Sequence, residues 1–327
     1  MAQIVLGIGT SHTPMLNAPL EVWPRFVERD RMRPHLSKDG EPRTYAELAA
    51  EADPAILQEI TPEVFTQRHA AALAHVTRLG EVIRAARLDT LIVIGDDQKE
   101  LYHDGNMPSI LLYHGASIRN VPISKYVGPD WARTASARYY EADQPRDYPV
   151  DATLAKHVIN HLMDDGFDLA IADSLDDGHG EGHAFGFVHN RLIPGLALPI
   201  VPVFLNTYFP PNQPRPARCF KLGQAIAQAV QRFPGDARVG VLASGGLSHF
   251  TVDEALDNRV MKALRDQDIH TLQTLPLNQL NSGNSEIRNW ICMAGATQNL
   301  ALASMHYIPG YRSPAGTGTG MCFAHWA

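Results

Sequence analysis

The hydrophobic positions of the chain fall into short continuous runs, which alternate with longer amphipathic segments. The runs cover residues 4–6, 88–94, 109–113, 168–172, 200–205 and 238–243. Apolar runs of this length, bounded by turn residues, are typical of strands that are buried on both faces of a sheet. The pattern therefore predicts a series of buried strands along the chain.

Helical periodicity separates these runs. Residues 61–87 carry apolar positions at helical spacing, with Thr61 as the predicted N-cap and Pro62 at the first helical position. Further helices are predicted over residues 151–166, 217–233, 252–266 and 285–305. Alternation of strands and helices predicts an α/β fold with a doubly wound, mostly parallel central sheet and helices on both faces. We expect one domain over residues 1–327, with an irregular, polar, lid-like excursion at about 18–60.

The composition and charge exclude several classes of protein. The hydrophobic fraction of 45% supplies a large core, and a formal net charge of −7 without a basic block argues against nucleic acid as a partner. There is no Walker A lysine, no run of about 18 apolar residues and no signal-peptide pattern. The 3 cysteines are too far apart for a disulfide framework or a zinc motif. The sequence therefore predicts a cytoplasmic protein with no membrane partner.

Polar residues that can bind metals or transfer protons follow several of the predicted strands. They are His12, Asp96-Asp97-Gln98, His179, His183 and His249. Each has a simpler interpretation, because acids and amides often cap a following helix and a histidine between glycines is often a loop residue. Ligands of open α/β sheets bind at the carboxyl ends of strands, so together these residues predict one site at one edge of the sheet. Glu286 begins a predicted helix that could close over that edge, although the helix dipole also favours an acid there.

Five motifs resemble those of a known family. They are SHTP at 11–14, GDDQKE at 95–100, GHAFGF at 182–187, SGGLSHF at 244–250 and NSEIRNW at 284–290. In this order they resemble the class III extradiol ring-cleavage dioxygenases, the superfamily of the protocatechuate 4,5-dioxygenase β subunit. The resemblance covers most of the chain outside residues 18–60. It is closest to the single-chain enzymes for lignin-derived catechols that include 3-O-methylgallate dioxygenases.

The resemblance implies a non-haem Fe(II) centre and a function. His12 and Glu286 match two metal ligands of the family, His249 matches its acid/base histidine, and His183 matches a second active-site histidine near the substrate. A neutral histidine at that place can accept a proton from a catechol hydroxyl and later return one. The implied activity is the opening, with O₂, of the ring of a catechol-type aromatic acid such as 3-O-methylgallate or gallate.

One position departs from the family pattern. Gln98 stands where the family has its second ligand histidine, and an amide oxygen is a weaker ligand than an imidazole. We expect Gln98 itself to fill the position, because it keeps the register at the end of the strand, with Asp97 and His103 as alternatives. In another interpretation, Gln98 only hydrogen-bonds a water molecule on the metal.

The carboxylate of an aromatic acid also needs a binding partner. The candidates are Arg312 or Tyr311 near the C-terminus, or Thr317 and Thr319 with the backbone N–H groups of the GTGTG segment. Thr13, beside His12, is a further expected substrate-binding residue. The simpler interpretation of Arg312 is an ordinary surface arginine. The family resemblance further suggests a homodimer or higher homo-oligomer, in which the excursion or a neighbouring chain covers the site.

Two rival functions fit the same residues. The chain could be a metal-dependent hydrolase or lyase in which His12 and Asp97 bind Zn²⁺ or Mn²⁺, and O₂ uptake with a catechol would separate this from a dioxygenase. It could also be a non-catalytic member of the superfamily that acts through protein interaction. The missing second histidine favours the non-catalytic alternative, and an iron content near one per chain would count against it.

Overall fold

The computed structural model describes residues 1–123 and 130–327. The strands are β1 (Gln3–Thr10), β2 (His35–Leu36), β3 (Pro42–Arg43), β4 (Thr90–Asp96), β5 (Ile110–Tyr113), β6 (Ser117–Asn120), β7 (Arg146–Pro149), β8 (Ala170–Ala172), β9 (Ile200–Leu205), β10 (Arg238–Ser244), β11 (His249–Thr251), β12 (Leu302–Tyr311) and β13 (Thr317–Trp326).

The helices lie between these strands. They are α1 (Pro14–Asn17), α2 (Phe26–Asp30), α3 (Tyr45–Glu51), α4 (Pro62–Ala86), α5 (Asp130–Ala137), α6 (Ala152–Asp164), α7 (His183–Phe187), α8 (Pro216–Arg232), α9 (Glu254–Asp266), α10 (Ile269–Gln273) and α11 (Ile287–Ala296). Shorter 3₁₀ turns cover Leu20–Arg25, Pro54–Ile60, Leu277–Gln279 and Ser282–Glu286, and a π turn covers Val188–Leu192. In the described part of the chain, no helix is both long and apolar enough to cross a membrane.

The central sheet is mixed, and its parallel centre sets the position of the site. Among the described residues, nine strands form it in the order β11-β13-β1-β10-β4-β9-β5-β8, with β12 also paired to β13. The neighbours β1, β10, β4 and β9 run parallel, whereas β13 is antiparallel to β1 and β5 is antiparallel to β9. The α/β prediction is confirmed, with antiparallel strands added on both sides of a parallel centre. Thr10, Ser244 and Asp96 therefore end their strands at the same edge of the sheet.

Helices cover both faces of this sheet, as the sequence predicts. One buried cluster joins side chains of α6, α8, α9 and α11 to the strands, and a second joins those of α4 and α7 to the opposite face. Helix α4 begins as predicted, because the Thr61 hydroxyl accepts the Val64 N–H at 3.3 Å and Pro62 follows it. Burial of each Leu, Ile or Phe side chain in these clusters contributes about 1.5–3 kcal/mol to the free energy of folding.

The close packing of α11 on β1 brings the start of that helix to the strand ends. A Cβ atom on Gly9 would lie 2.1 Å from Cζ3 of Trp290, so only glycine permits this approach. The Trp290 indole N–H donates to the Gly245 carbonyl at 2.9 Å. Glu286, directly before α11, is consequently held beside the loop that follows β10.

The prediction of one long helix over residues 285–305 is wrong. The helix proper is α11, and from Leu302 the chain forms β12, which pairs antiparallel with β13 along its whole length. The apolar residues after Ala296 are compatible with either helix or strand, and the partner strand β13 decides between them. The glycines of the C-terminal segment allow close packing, since a Cβ on Gly320 would lie 2.0 Å from Oδ2 of Asp257.

Candidate metal centre

His12 lies directly after β1 and points a ring nitrogen into a buried cluster. Its Nδ1 is 3.0 Å from the Ser244 hydroxyl, whose own proton is donated to the Ala184 carbonyl at 2.7 Å. Nδ1 therefore carries the proton in this hydrogen bond, and Nε2 keeps its lone pair. The Tyr139 hydroxyl donates to the backbone carbonyl of His12. Burial lowers the pKa of His12, which further favours the neutral ring that metals bind.

Glu286 faces His12 across the cluster. One carboxylate oxygen, Oε2, lies 3.3 Å from His12 Nε2 and accepts the Gly246 N–H at 2.7 Å. The other, Oε1, accepts the Tyr208 hydroxyl at 2.6 Å and lies 3.0 Å from Nε2 of His249. Although burial opposes ionisation, His249 and His12 hold the pKa of Glu286 well below its usual range. Glu286 is thus a buried carboxylate anion between two imidazoles.

His183, at the first position of α7, is oriented by Glu100. Its Nδ1 lies 2.7 Å from Oε2 of Glu100, which also accepts the backbone N–H of His183 at 3.2 Å. This contact directs Nε2 toward Asp96, whose Oδ2 is 3.8 Å away. Burial favours the neutral ring, but the carboxylate of Glu100 raises the pKa of His183 to about 10. A carboxylate that orients the far side of an imidazole in this way is the usual support of a metal-binding histidine.

Asp96 completes the cluster at the end of β4. Its side chain is fully buried, and burial together with the charge of Glu286 raises its pKa well above the usual range. Two buried carboxylates this close together repel each other unless a cation lies between them. The sequence indicates Asp96 only as part of a polar strand end, and it predicts the neighbours Asp97 and Gln98 as the ligand candidates.

The cluster as a whole has the composition of a metal centre. His12, Asp96, His183 and Glu286 each offer a ligand atom, and these four atoms lie within 4.8 Å of one another. His12 Nε2 and Asp96 Oδ2 are buried and have no hydrogen-bond partner among the described residues. Buried polar atoms normally have partners, so two such atoms at one point fit a bound cation. Imidazole and carboxylate ligands suit divalent ions such as Fe²⁺, Mn²⁺ and Zn²⁺.

The alternative ligand candidates lie in different positions. The Asp97 carboxylate accepts the backbone N–H groups of Lys99, Leu101 and Tyr102, so it organises the loop after β4. His103 lines a separate surface cavity. Gln98 remains exposed, and its amide nitrogen lies 3.4 Å from Nε2 of His183. Gln98 is therefore next to the cluster, whereas Asp97 and His103 are engaged elsewhere.

His249 stands beside the cluster in the position expected of a proton-transfer group. Its Nδ1 lies 2.9 Å from the Leu247 carbonyl, which fixes the ring and turns Nε2 toward Glu286 and the Tyr208 hydroxyl, 3.2 Å away. Burial opposes a proton on this ring, but Glu286 raises the pKa of His249. Tyr208 was not predicted. It follows β9, so the rule that sites form at strand ends could have found it.

A cavity of about 410 Å³ opens onto the cluster. It is lined by His12, Glu286, His183, Gln98 and His249, and also by Thr13, Thr319, Glu100, Tyr139, Arg29, Arg33 and Arg312. This volume lies within the range of about 300–1,000 Å³ that is typical of small-molecule sites. The structure thus brings the five residues that were predicted as metal ligands or catalytic groups together around one cavity.

The predicted substrate residues divide into two groups. Thr13 and Thr319 line the cavity, and the Thr319 hydroxyl donates to that of Thr13 at 3.2 Å. Tyr311 lines a different cavity, and its hydroxyl donates to Glu254 at 2.8 Å. Arg312 reaches the first cavity, but its Nε and one terminal nitrogen, Nη2, donate to the Asp30 carboxylate, at 2.7 and 2.8 Å. Thr317 also donates to Asp30, so these two residues anchor the excursion.

The fold and these side chains define an α/β protein with a buried candidate metal centre at the carboxyl ends of its parallel strands. Residues 54–315 match the family described as the catalytic LigB subunit of aromatic ring-opening dioxygenases. The chain belongs to this family. The resemblance of the five sequence motifs to the class III extradiol dioxygenases is thereby confirmed.

Curated relatives match a shorter part of the chain. A gallate dioxygenase from Pseudomonas putida is 34% identical over 115 residues, which cover 33% of this chain and 32% of that protein. A 2,3-dihydroxyphenylpropionate/2,3-dihydroxicinnamic acid 1,2-dioxygenase from Comamonas testosteroni is 33% identical over 100 residues, which cover 31% of this chain and 30% of that protein. The matched segments therefore span about a third of each relative. An uncharacterized protein of known structure from Escherichia coli K12 aligns at a TM-score of 0.41 and 11% identity, over 77% of this chain and 91% of that one.

Proposed function

We propose that the protein is a metal-dependent extradiol dioxygenase that opens the ring of a catechol-type aromatic acid with O₂. The observation that carries the proposal is the convergence of His12, Asp96, His183 and Glu286 at one buried point, with His249 beside them in a cavity of small-molecule size. Family membership supports the same reaction class, as do the activities for which the two relatives are named. Gallate, 3-O-methylgallate and related lignin-derived catechols are the substrates we propose to test first.

The metal we propose is Fe(II), held by His12, His183 and Glu286. Two histidines and one carboxylate with open positions are the ligand set of non-haem Fe(II) oxygenases. When bound, such an ion would supply adjacent positions for the two catechol oxygens and O₂ and would lower the pKa of the catechol hydroxyls. Gln98 occupies the sequence position of the family's second ligand histidine. We propose that Asp96, whose Oδ2 has no hydrogen-bond partner among the described residues, is instead the fourth group at the ion.

The proton transfers are assigned to His249. Because Nδ1 is fixed at the Leu247 carbonyl, Nε2 is the ring nitrogen left to exchange a proton with a substrate hydroxyl in the cavity that His249 lines. Tyr208 holds both Glu286 and His249 in place through one hydroxyl. Tyr139 and Glu100 fix His12 and His183 from behind. Ring cleavage then places both oxygen atoms of O₂ in one ring-opened product, so one O₂ should disappear for each catechol.

The test is O₂ uptake after anaerobic reconstitution with Fe(II). The substrates are gallate, 3-O-methylgallate, protocatechuate and a biphenyl catechol, with product analysis by mass spectrometry. The proposal requires one O₂ per catechol and a product heavier than the substrate by both oxygen atoms, less methanol where a pyrone forms. Zn²⁺- or Mn²⁺-dependent hydrolysis without O₂ uptake would favour the hydrolase or lyase alternative. Protein that neither retains iron nor consumes O₂ would favour a non-catalytic role.

Assembly and location remain predictions of the same proposal. We expect a homodimer or higher homo-oligomer in which the excursion or a neighbouring chain covers the cavity, and we expect the protein in the cytoplasm. Light scattering of the purified chain tests the first expectation, and cell fractionation tests the second.

A further inference from the structure

Tyr139 and Tyr140 support both histidines of the candidate metal centre from adjacent positions in the chain. The Tyr139 hydroxyl donates to the backbone carbonyl of His12. The Tyr140 hydroxyl donates to Oε1 of Glu100 at 2.6 Å, and Oε2 of Glu100 lies 2.7 Å from Nδ1 of His183. A displacement of this one short segment would therefore disturb both imidazole rings.

The side chain of Asn120, at the end of β6, holds the backbone of the segment. Asn120 is fully buried, its amide nitrogen donates to the Tyr139 carbonyl at 3.1 Å, and its oxygen accepts the backbone N–H of Glu141 at 2.7 Å. These two contacts lie on either side of Tyr140, so one amide fixes the backbone that carries both hydroxyls. The Asn190 amide donates to the same Tyr139 carbonyl at 3.0 Å.

A buried carboxylate and the backbone together fix the orientation of the Asn120 amide. Oε1 of Glu181 accepts an N–H of Asn120 at 2.8 Å and lies 2.8 Å from Nδ1 of His189. A carbonyl can only accept and a backbone N–H can only donate, so the amide nitrogen must face Tyr139 and the amide oxygen must face Glu141. Asn120 thus uses both of its N–H groups and its oxygen. No aliphatic or hydroxyl side chain could replace all three contacts.

The same segment packs directly on α7, the helix that begins at His183. A Cβ atom on Gly186 would lie 2.1 Å from the carbonyl oxygen of Tyr139, so glycine permits this contact. The Tyr139 ring centroid lies 5.8 Å from that of His183 and 6.3 Å from that of Phe187. Tyr139 and Tyr140 also line the active-site cavity. The place of the segment therefore affects the cavity wall as well as the two histidines.

We propose that residues 139–141, held by Asn120, set the metal affinity of the candidate centre, with Asn120 and Tyr140 as positioning residues. The inference rests on the metal centre of the proposed function. Groups that orient metal-binding histidines from behind contribute on the order of 10- to 100-fold to metal affinity. Asn120 is not among the residues that line the cavity, so its effect must pass through the two tyrosine hydroxyls.

The test measures the affinity of the metal-free protein for Fe²⁺ by calorimetry without O₂, with Zn²⁺ as a redox-inert second probe. The variants are Tyr140→Phe, Asn120→Ala, the double variant Tyr139→Phe with Tyr140→Phe, and the triple variant that combines all of these changes. Tyr311→Phe is the matched control, because its hydroxyl also donates to a carboxylate, that of Glu254 at 2.8 Å, but lines a different cavity. Urea unfolding of each metal-free protein records any loss of stability separately.

We expect Tyr140→Phe and Asn120→Ala each to weaken metal binding about 10- to 100-fold, and Tyr311→Phe to leave it unchanged. Because Asn120 acts through the two hydroxyls, its replacement should cost less than about twofold more in the protein that already lacks them. Losses that multiply in the triple variant would overturn the proposal, as would lower urea midpoints with unchanged metal dissociation constants. Tyr140→Phe keeps the ring and should fold even if Asn120→Ala does not, and an unchanged metal affinity in that variant alone would also overturn the proposal.

The two proposals fail in different ways. If the variants lose metal affinity as expected but no catechol supports O₂ uptake, ring cleavage is refuted and the positioning role stands. If O₂ uptake proceeds and the variants bind the metal as tightly as the Tyr311→Phe control, ring cleavage stands and the positioning role is refuted.

Discussion

The buried ion pair between Asp30 and Arg312 is the contact whose loss should most clearly separate the excursion from the sheet. Both side chains are 1% exposed, and the guanidinium makes two hydrogen bonds of 2.7 and 2.8 Å to the carboxylate. Asp30→Asn replaces the carboxylate by an amide of nearly the same size. The Arg312 charge then stays buried without a counter-charge, and the amide NH₂ faces a group that can only donate.

The expected cost follows from this geometry. Breaking a buried pair by removing one partner destabilises proteins by about 3–5 kcal/mol. Removing both charges is much less costly, so Asp30→Asn combined with Arg312→Met should recover part of the loss. The effect also depends on pH. Burial opposes ionisation of Asp30, but Arg312 lowers its pKa, so its stabilising contribution is present above the usual carboxyl pKa and is lost as the pH falls through the lowered value.

Urea unfolding at pH 7, followed by circular dichroism, measures the change in the free energy of unfolding. The control is Glu51→Gln, which removes the acid of the ion pair between Arg43 and Glu51. The Arg43 side chain is 32% exposed and that of Glu51 is 56% exposed. Such pairs contribute about 0–1 kcal/mol. If Asp30→Asn costs no more than this control, or if the double variant is less stable than Asp30→Asn alone, the reasoning about the buried charge is refuted.

Three further changes test the site and its surroundings. His249→Ala should leave Fe(II) and substrate binding largely intact in equilibrium dialysis but reduce kcat for O₂ uptake by about 100-fold or more, and full activity would remove its catalytic role. Gln98→His should change Fe(II) affinity, since its amide lies 3.4 Å from Nε2 of His183, and an unchanged affinity would exclude Gln98 from the metal ligands. Burial raises the pKa of Asp257 from 3.8 to about 6, so the folded state holds a proton on this carboxyl more tightly than the unfolded state does. The free energy of unfolding should therefore fall by about 3 kcal/mol as the pH rises from 3.8 to about 6. Asp257→Asn should remove that part of the pH dependence in urea unfolding, and an unchanged slope would contradict it.

The convergence of three candidate residues could be predicted because their signal is local. His12, Glu286 and His249 each lie in a short motif at the end of a strand or the start of a helix, and parallel strands place their carboxyl ends at one edge. The structure brings these three together as expected, with distances of 3.3 and 3.0 Å from Glu286 to the two histidines. Their positions follow from local motifs, whereas their roles follow from the family resemblance.

Other parts of the site depend on contacts between distant segments. Arg29 and Arg33 line the cavity on either side of Asp30, which pairs with a residue 282 positions away. Tyr311 and Arg312 are adjacent but face different cavities, because neighbouring residues of an extended chain point to opposite sides. The segment after Ala296 likewise forms β12 because it pairs with β13, a partner that local periodicity does not indicate. Local periodicity carries none of these relationships.

Anomalous diffraction at the iron edge, from crystals loaded anaerobically with Fe(II), tests the central claim most directly. The account predicts one iron peak surrounded by His12, Asp96, His183 and Glu286, and its loss in Glu286→Gln crystals prepared in the same way. An iron peak elsewhere in the molecule, or none in crystals of protein that consumes O₂ with a catechol, would contradict the assignment of this cluster as the metal centre.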